Sequence, residues 1–557
     1  MKGRGVSVRM KRWFVCLLCM AMLTSACAGA EELAFFTGMA DVEYKKKDLD
    51  DSWSRGEAVE IVLSGRTAQI GGPGAAMENG ELVIFGEGDY LLTGEFTGRI
   101  VVRADDEKVR LILGGVSVAC EGGAAIFVED ADKATLVLAE GSENAVVSGS
   151  RMEEYDGEEL DAAIYSKADL VINGPGALTV ESAAGHGILS KDDLRVMNGV
   201  ISVQSAKDGL RGRDAFIMRG GFVDIVSGGD GIQSNHDEDA DKGYVSIDGG
   251  AIGIVSGEDG IQAETVLQVR GGEISITSGG GAAVSGAEDG KGLKAGRALF
   301  VTGGTVQIDA ADDAVHSDGS VSVSGGQLTL ATADDGVHAE SALDVSGGTV
   351  RIAQSLEGME GRNVRISGGE VHVVSQDDGI NATGGEDDDS SGRDNPFAVE
   401  DCEILISGGA VYVNAGGDGV DSNGALTFAG GSVYVSGPTD DGDGALDASG
   451  EMTLTGGTLL AVGSSGMASA PIANGQPVTM IFMDSVQPGG QTVSVREASG
   501  NELASFTPEK EWSSAVISVP GVQEGAEIQL YVNDVQAKNV PAGEGAGDRG
   551  MFGHGGK

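Results

Sequence analysis

Between residues 334 and 355 the apolar side chains fall into three short alternating triplets. Val337 and Ala339 flank His338, Leu343 and Val345 flank Asp344, and Val350 and Ile352 flank Arg351. Alternation with a period of two is the signature of a strand with one buried face. The runs never extend into a helical apolar stripe. Turn-forming residues separate them: Glu340-Ser341-Ala342, then Gly347-Gly348, then Gln354-Ser355 leading toward the next acidic residue and glycine. The pattern predicts three short strands per repeat. It recurs, with Gly-Gly pairs starting at Gly249, Gly271, Gly303, Gly325, Gly347, Gly368, Gly408, Gly430 and Gly456; most steps are 21 or 22 residues and the longer ones carry an insertion. Short strands that cannot bury a face alone gain a core by stacking on their equivalents, which makes a solenoid. The expectation is an all-β chain, a parallel β-helix of about 22 residues and three short strands per coil, with coils about 4.8 Å apart.

The repeat also sets the expected organisation. Residues 1–30 read as a signal peptide, 31–85 as an acidic N-terminal cap region, 86–465 as the β-helix, 466–537 as a β-rich C-terminal module and 538–557 as a flexible Gly-rich tail. In the module, 478–483, 492–496, 514–519 and 527–532 read as strands. Two acidic insertions, 235–243 and 384–402, interrupt the repeat at corners. In the signal, basic residues to Arg12 precede an apolar run from Trp13 to Leu23, too short for a membrane span. Ala28-Gly29-Ala30 fits an ordinary cleavage site, whereas Thr24-Ser25-Ala26-Cys27 is an imperfect lipid-attachment motif; secretion and a Cys27 anchor both stay open. Either places the protein outside the cytoplasm. Beyond the signal only Cys120 and Cys402 remain, and their spacing implies neither a disulfide nor a zinc site.

Net charge sharpens the picture. The chain carries −49 at neutral pH, and its first 30 residues hold five positive and no negative charges, so the remainder is more acidic still. Such a surface repels phosphate backbones and excludes nucleic acid as a partner, while attracting cations.

Stacking turns sequence repeats into columns. One column runs Asp208, Asp230, Asp259, Lys291, Asp313, Asp335, Glu357, Asp378, Asp418, and a second acidic set contains Glu258, Asp312, Asp334 and Asp377. Two carboxylates about 5 Å apart repel by roughly 1 kcal/mol even in water. Ca²⁺, a hard cation taking six to eight oxygen ligands, is the expected counter-charge. Asp-Gly is also good corner chemistry without any ion. The leading candidate ligands are Asp377, Asp378, Asn381, Asp418 and Asp421; a second set is Asp208, Asp230 and Asp259 with Asp237 and Asp239 from the nearby insertion; Asp312, Asp313, Asp334 and Asp335 form doubled sites. An outward column passes through Arg211, Gln233, Gln262, Lys294, His316, His338, Glu360, Asn381, Asp421 and Asp447. Arg211, Lys294, His316 and His338 from it are candidate contacts for hydroxylated or carboxylated sugars, although a solvated strand face accounts for the same residues. Tyr412 and Tyr434 occupy matching outward positions and offer a flat surface for a sugar ring. Paired histidines without an orienting acid and a nucleophile do not make a hydrolase.

The phrases AAIYSKADLVINGPGALTV (162–180), HGILSKDDL (186–194), DDAVHSDGSV (312–321), GDGVDSNGAL (417–426), GPTDDGDGALD (437–447) and AVGSSGMASAP (461–471) together resemble the bacterial secreted carbohydrate-binding β-helix proteins that bind cellulose and acidic sugars, structural relatives of pectate lyases. The resemblance implies a right-handed parallel β-helix, bound calcium and affinity for polysaccharide, cellulose or a polyuronate. Asp418-Gly419-Val420-Asp421 is similar to the calcium motif of one pectate lyase family, which implies Asp418 and Asp421 as ligands with Asp377 or Asp378. Such lyases abstract a proton with a nearby Lys or Arg, yet the coils that follow, to Val462, contain neither. Lys294 and Arg211 are the remaining candidates for that base. The expected function is therefore calcium-dependent polysaccharide binding without catalysis; a lyase of uronic-acid polymers and a structural or adhesive cell-surface rod are the alternatives.

Overall fold

The alternating triplets form strands in which inward residues are buried and outward ones are not. In the computed structural model, which describes residues 38–151, 154–155, 157–284, 289–384 and 399–545, Val337, Ala339, Leu343, Val345, Val350 and Ile352 are all buried, while Arg351 is exposed. The signal peptide, Cys27, most of the 384–402 insertion and the tail from 546 lie outside the described residues. The described residues are all-β, and none forms a helix long and apolar enough to cross a membrane.

One sheet of 46 strands runs through most of the chain, and most of its pairs are parallel. Each repeat gives one strand to each of three ladders. Val200–Ser205, Phe222–Ser227 and Ala251–Ser256 belong to a long ladder. Leu210–Gly212, Ile232–Ser234 and Ile261–Ala263 form a corner ladder just after the acidic residue and glycine. Ala215–Met218, Tyr244–Ile247 and Val266–Val269 form a third. Register keeps like on like, as in Val203, Ile225, Ile254 and Ile276 on the long ladder. The main apolar core runs from Ile61 to Val516, and a second buried cluster, with Trp512, Val493 and Ile528, holds the C-terminal strands.

Close stacking explains the glycines. Gly348 turns with φ near +78°, a conformation that side chains rarely adopt. At Gly336 a Cβ would lie 2.5 Å from the Gly358 carbonyl oxygen of the next repeat, so the corner has no room for a side chain.

At the N-terminal end, Val59–Gly65 already pairs in parallel with Gly88–Thr97, inside the stretch read from sequence as a cap. Before it, residues 40–52 run as a strap along the outer face of the third ladder. Gln268 Nε2 donates to the Ala40 carbonyl (3.2 Å), Arg195 to Glu43 (2.9 Å), Asn173 to Asp48 (2.9 Å) and Arg110 to Ser52 (2.8 Å). At the C-terminal end pairing turns antiparallel: Thr458–Gly463 meets Trp512–Ser518, and Glu502–Phe506, Val493–Glu497, Glu527–Val532 and Val535–Pro541 make a separate four-stranded sheet. Cys120 and Cys402 are both free thiols.

Candidate functional site

The outward column predicted from sequence exists in that order. Arg211, Gln233, Gln262, Lys294, His316, His338, Glu360, Asn381 and Asp421 are successive register partners on the corner ladder. The marker carboxylates lie beside it and have a backbone role. Asp208 Oδ1 accepts the Asp230 N–H (3.2 Å), Asp230 Oδ1 that of Asp259 (3.0 Å), Asp259 Oδ1 that of Lys291 (2.8 Å), Asp313 Oδ1 that of Asp335 (3.1 Å) and Asp378 Oδ1 that of Asp418 (2.7 Å). Each aspartate caps the next repeat, which explains its recurrence without any ion. The second oxygen is what distinguishes one region from another.

From Asp208 to His338 that second oxygen usually faces a cation. Asp208 Oδ2 lies 3.1 Å from His186 Nδ1 and 3.5 Å from Arg211; Asp259 Oδ2 lies 3.3 Å from Lys294; Asp313 Oδ2 lies 2.7 Å from His316 and 3.3 Å from Lys291; Asp335 Oδ2 lies 3.1 Å from His338. Lys291, the break in the acidic column, also reaches Asp312 at 2.5 Å. Burial works against ionising the Asp313 carboxyl, but the His316 hydrogen bond and the Lys291 charge outweigh it and hold its pKa below the ordinary value. Burial likewise works against the His338 imidazolium, but Asp335 and Asp313 hold its pKa up to about 10. Where the facing group is the neutral amide of Gln233, at 2.6 Å, the Asp230 pKa is pushed up to about 8 by burial and by Asp259 and Asp208.

From Glu357 onward the facing groups are themselves acidic or neutral. Glu357 and Glu360 are both pushed up to about 7, first by burial and then by neighbouring carboxylates. Asp378 rises to about 8, Asp418 to about 7 and Asp421 to about 6; burial is the main cause, and Asp418 adds to Asp378 while Asp447 and Asp443 add to the other two. Ligand oxygens of Asp378, Asp418 and Asp421 lie within 4.8 Å of one another. Asn381 Nδ2 donates to Glu357 Oε2 at 2.9 Å, which fixes the amide toward the preceding repeat. Its Oδ1 is buried and makes no hydrogen bond. The three carboxylates form an all-oxygen donor set, and the orphaned amide oxygen belongs to the register partner of Asp421; oxygen donors of this kind fit a hard divalent cation such as Ca²⁺.

The tyrosines lie on the long ladder of the same repeats. Arg351, His372, Tyr412 and Tyr434 are consecutive register partners there. His372 and Tyr412 stack at 4.6 Å and 10°, Tyr412 and Tyr434 at 5.2 Å and 15°, and Phe506 from the C-terminal sheet continues the row at 5.6 Å. They line a groove of about 170 Å³, closed on one side by Thr507 and Glu509. Lys510 enters beside it and donates to the Ala415 carbonyl; burial pushes its pKa down to about 8.

Several sequence expectations change. Asp377 is exposed and outside the close carboxylate group. Asp237 and Asp239 do not join Asp208, Asp230 and Asp259 in a close group of described residues. Their insertion folds onto the third-ladder side, where His236 and Lys242 each lie 2.6 Å from Asp214. Asp312, Asp313 and Asp334 do come together, with the Lys291 ammonium as their counter-charge. Arg211, Lys294, His316 and His338 share a ladder but not with the tyrosines, so the six proposed sugar contacts do not form one surface. Lys294 is four strands from Asn381 and Arg211 seven, roughly 19 and 34 Å, so neither reaches the Asp378 group as a base. Sequence reading missed Asp443, Phe506, Glu509 and Lys510. The acidic run 440–443 signalled the first; the others arrive from a part of the chain without the repeat.

A family model described as carbohydrate-binding domain-containing protein matches residues 78–336 and 331–459, more than half of the chain. A carbohydrate-binding domain-containing protein from Acetivibrio thermocellus is 32% identical over 136 residues, 24% of this chain and 48% of the relative; the chain thus spans about half the length of that relative. A solved structure of a polysaccharide lyase-like protein from C. thermocellum, in a gadolinium derivative, is similar over 44% of this chain and 97% of its own, with 28% identity and a TM-score of 0.41.

Proposed function

The chain belongs to the carbohydrate-binding domain-containing protein family, and from that premise we propose that it is a secreted, calcium-dependent polysaccharide-binding protein built on a right-handed parallel β-helix. One observation carries the reading: the uncompensated carboxylates and the aromatic stack fall in the same repeats. Asp378, Asp418 and Asp421 lie on the corner, and His372, Tyr412 and Tyr434 on the adjoining long ladder. Ca²⁺ held by Asp378, Asp418, Asp421 and Asn381 would neutralise the corner and lend an open position to a sugar carboxylate. The chain's own part is to supply the oxygen ligands and a ring-stacking wall. Arg351, next in that outward row, adds a fixed positive charge that suits a uronate.

Binding rather than cleavage is favoured because the two bases named from sequence are both paired and distant. Lys294 and Arg211 pair with Asp259 and Asp208, several repeats away. The test is affinity chromatography and calorimetry on polygalacturonate and cellulose, with calcium and with EDTA. Retention on polygalacturonate is expected with calcium, with loss of it on chelation and a modest weakening in Tyr412→Ala. Equal retention by Asp418→Asn in calcium overturns the bridge, and an absorbance rise from unsaturated product replaces binding by lyase activity.

A further inference from the structure

Two successive repeats carry matching runs, Asp312-Asp313-Ala314-Val315-His316-Ser317-Asp318 and Asp334-Asp335-Gly336-Val337-His338-Ala339-Glu340. Stacking makes His316 and His338 register partners, with ring centroids 5.1 Å apart. Their side chains are only 11% and 12% exposed. One ligand atom each from Asp313, His316 and His338 lies within 4.8 Å of the others, a spacing that a single ion can draw together.

Both imidazoles are also oriented from behind. His316 Nδ1 faces Asp313 Oδ2 at 2.7 Å while its Nε2 meets Asp318 Oδ1 at 3.0 Å. His338 Nδ1 faces Asp335 Oδ2 at 3.1 Å while its Nε2 lies 3.7 Å from Glu340 Oε1. A carboxylate at the outer nitrogen fixes the tautomer and leaves the inner nitrogen to an ion. His186 also lies between two carboxylates, Asp161 and Asp208, but joins no close group of ligands among the described residues.

Lys291 is the competing charge, 3.3 Å from Asp313 Oδ2. It lies closer to Asp312, at 2.5 Å, and keeps that partner when Asp313 serves an ion. Without metal, imidazole protons answer the marker carboxylates. One divalent cation in place of two protons leaves the net charge of the corner unchanged. Asp335, His338 and Glu360 form a neighbouring group that shares His338 but offers one nitrogen instead of two. Two imidazoles and a carboxylate suit a zinc-class cation, whereas Ca²⁺ prefers oxygen alone.

We propose that Asp313, His316 and His338 form a second metal site, selective for a zinc-class divalent cation over calcium. Three protein ligands leave a fourth position to water. Its observations are separate from those of the Asp378 group, so either site can fail alone.

The experiment uses the full chain, freed of metal by chelation and dialysed into excess calcium so that all-oxygen sites do not take up the probe. Calorimetry with Zn²⁺ is expected to show one tight equivalent. One equivalent of Cu²⁺ should give a spin-resonance spectrum with coupling to two imidazole nitrogens. His316→Gln and His338→Gln should each weaken Zn²⁺ binding about tenfold or more. His186→Gln, Glu360→Gln and Asp418→Asn should leave it unchanged. Circular dichroism checks that the variants fold, and the copper spectrum of the unaltered protein decides the matter if a histidine variant does not. No Zn²⁺ binding in excess calcium, binding unchanged in both histidine variants, a copper spectrum without two nitrogens, or a loss in Glu360→Gln with none in His316→Gln each overturns the proposal.

Discussion

The two halves of the corner ladder use the same backbone device and opposite electrostatics. In both, a marker aspartate accepts the next repeat's N–H, as Asp313 does for Asp335 and Asp378 for Asp418. In the first half, the residue three positions on, or a lysine from the next repeat, meets the leftover oxygen with charge: His316, His338, Arg211 and Lys294. In the second half that residue is Glu360, Asn381 or Asp421. The repeat therefore does not need an ion to fold its corner. Under the proposed calcium binding, an ion is needed only where the internal cations stop, Asp230 opposite Gln233 being the one uncompensated marker before that point, and this separates an aspartate that builds the scaffold from one available to a ligand.

The largest expected effect comes from breaking the compensated half. Asp313→Asn removes the nearer carboxylate from buried His316 and one of two from half-buried Lys291, which keeps Asp312, and should destabilise by about 2 kcal/mol or more, read by chemical denaturation, with any calcium response retained. Asp418→Asn should do the reverse: little loss of stability in EDTA, and loss of the rise in Tm expected of the parent protein in calcium. If both variants behave alike, the distinction between the halves is wrong.

Transplanting the first half's chemistry into the second is a sharper test. Asp421→Lys places an ammonium beside Asp418 and Asp378, as Lys291 lies beside Asp312 and Asp313. Metal-free melting should rise, and calcium should no longer add to it; a variant that still gains Tm with calcium would count against the assigned ligands.

The pH profile separates the halves by window. For Asp378 the pKa is raised from 3.8 to about 8, so its contribution is full below about 4 and is lost as pH rises to 8. For His338, raised from 6.5 to about 10, the contribution is full below about 6.5 and is lost as pH rises through 10. In EDTA, Tm should fall across both windows. Calcium should reduce the fall across the first window, leaving the share of Asp230, which titrates there too, and should leave the second unchanged, which scanning calorimetry at stepped pH can read. The smallest effect is expected from Tyr412→Ala, about 1 kcal/mol in glycan affinity with little change in Tm, because the ring stacks on a half-buried outer face.

Much of this was legible without coordinates because a repeat converts sequence distance into spatial adjacency. The order Arg211 to Asp421 and the Tyr412–Tyr434 pair follow from period alone. The strands of the C-terminal module near 479, 493, 512 and 527 lie outside the period and were marked by local alternation instead. The grouping of Asp237 and Asp239 with Asp208 failed because an insertion's direction depends on which partner it finds, here Asp214 on the other side of the strand. Phe506 and Lys510 were invisible for the same reason, since no period relates them to Tyr434 or Ala415. The strap was hidden too: its carbonyls accept hydrogen bonds from side chains up to 228 residues away.

The sequence by itself determined the three-strand repeat, its glycine corners and the columns, because alternation and close stacking are local requirements that each repeat must satisfy. Only the tertiary structure decided which carboxylates are spent and which are available. That depends on where Lys291, Lys294 and the histidines point their charges, on how deeply each acid is buried, and on chain segments outside the repeat that settle against it.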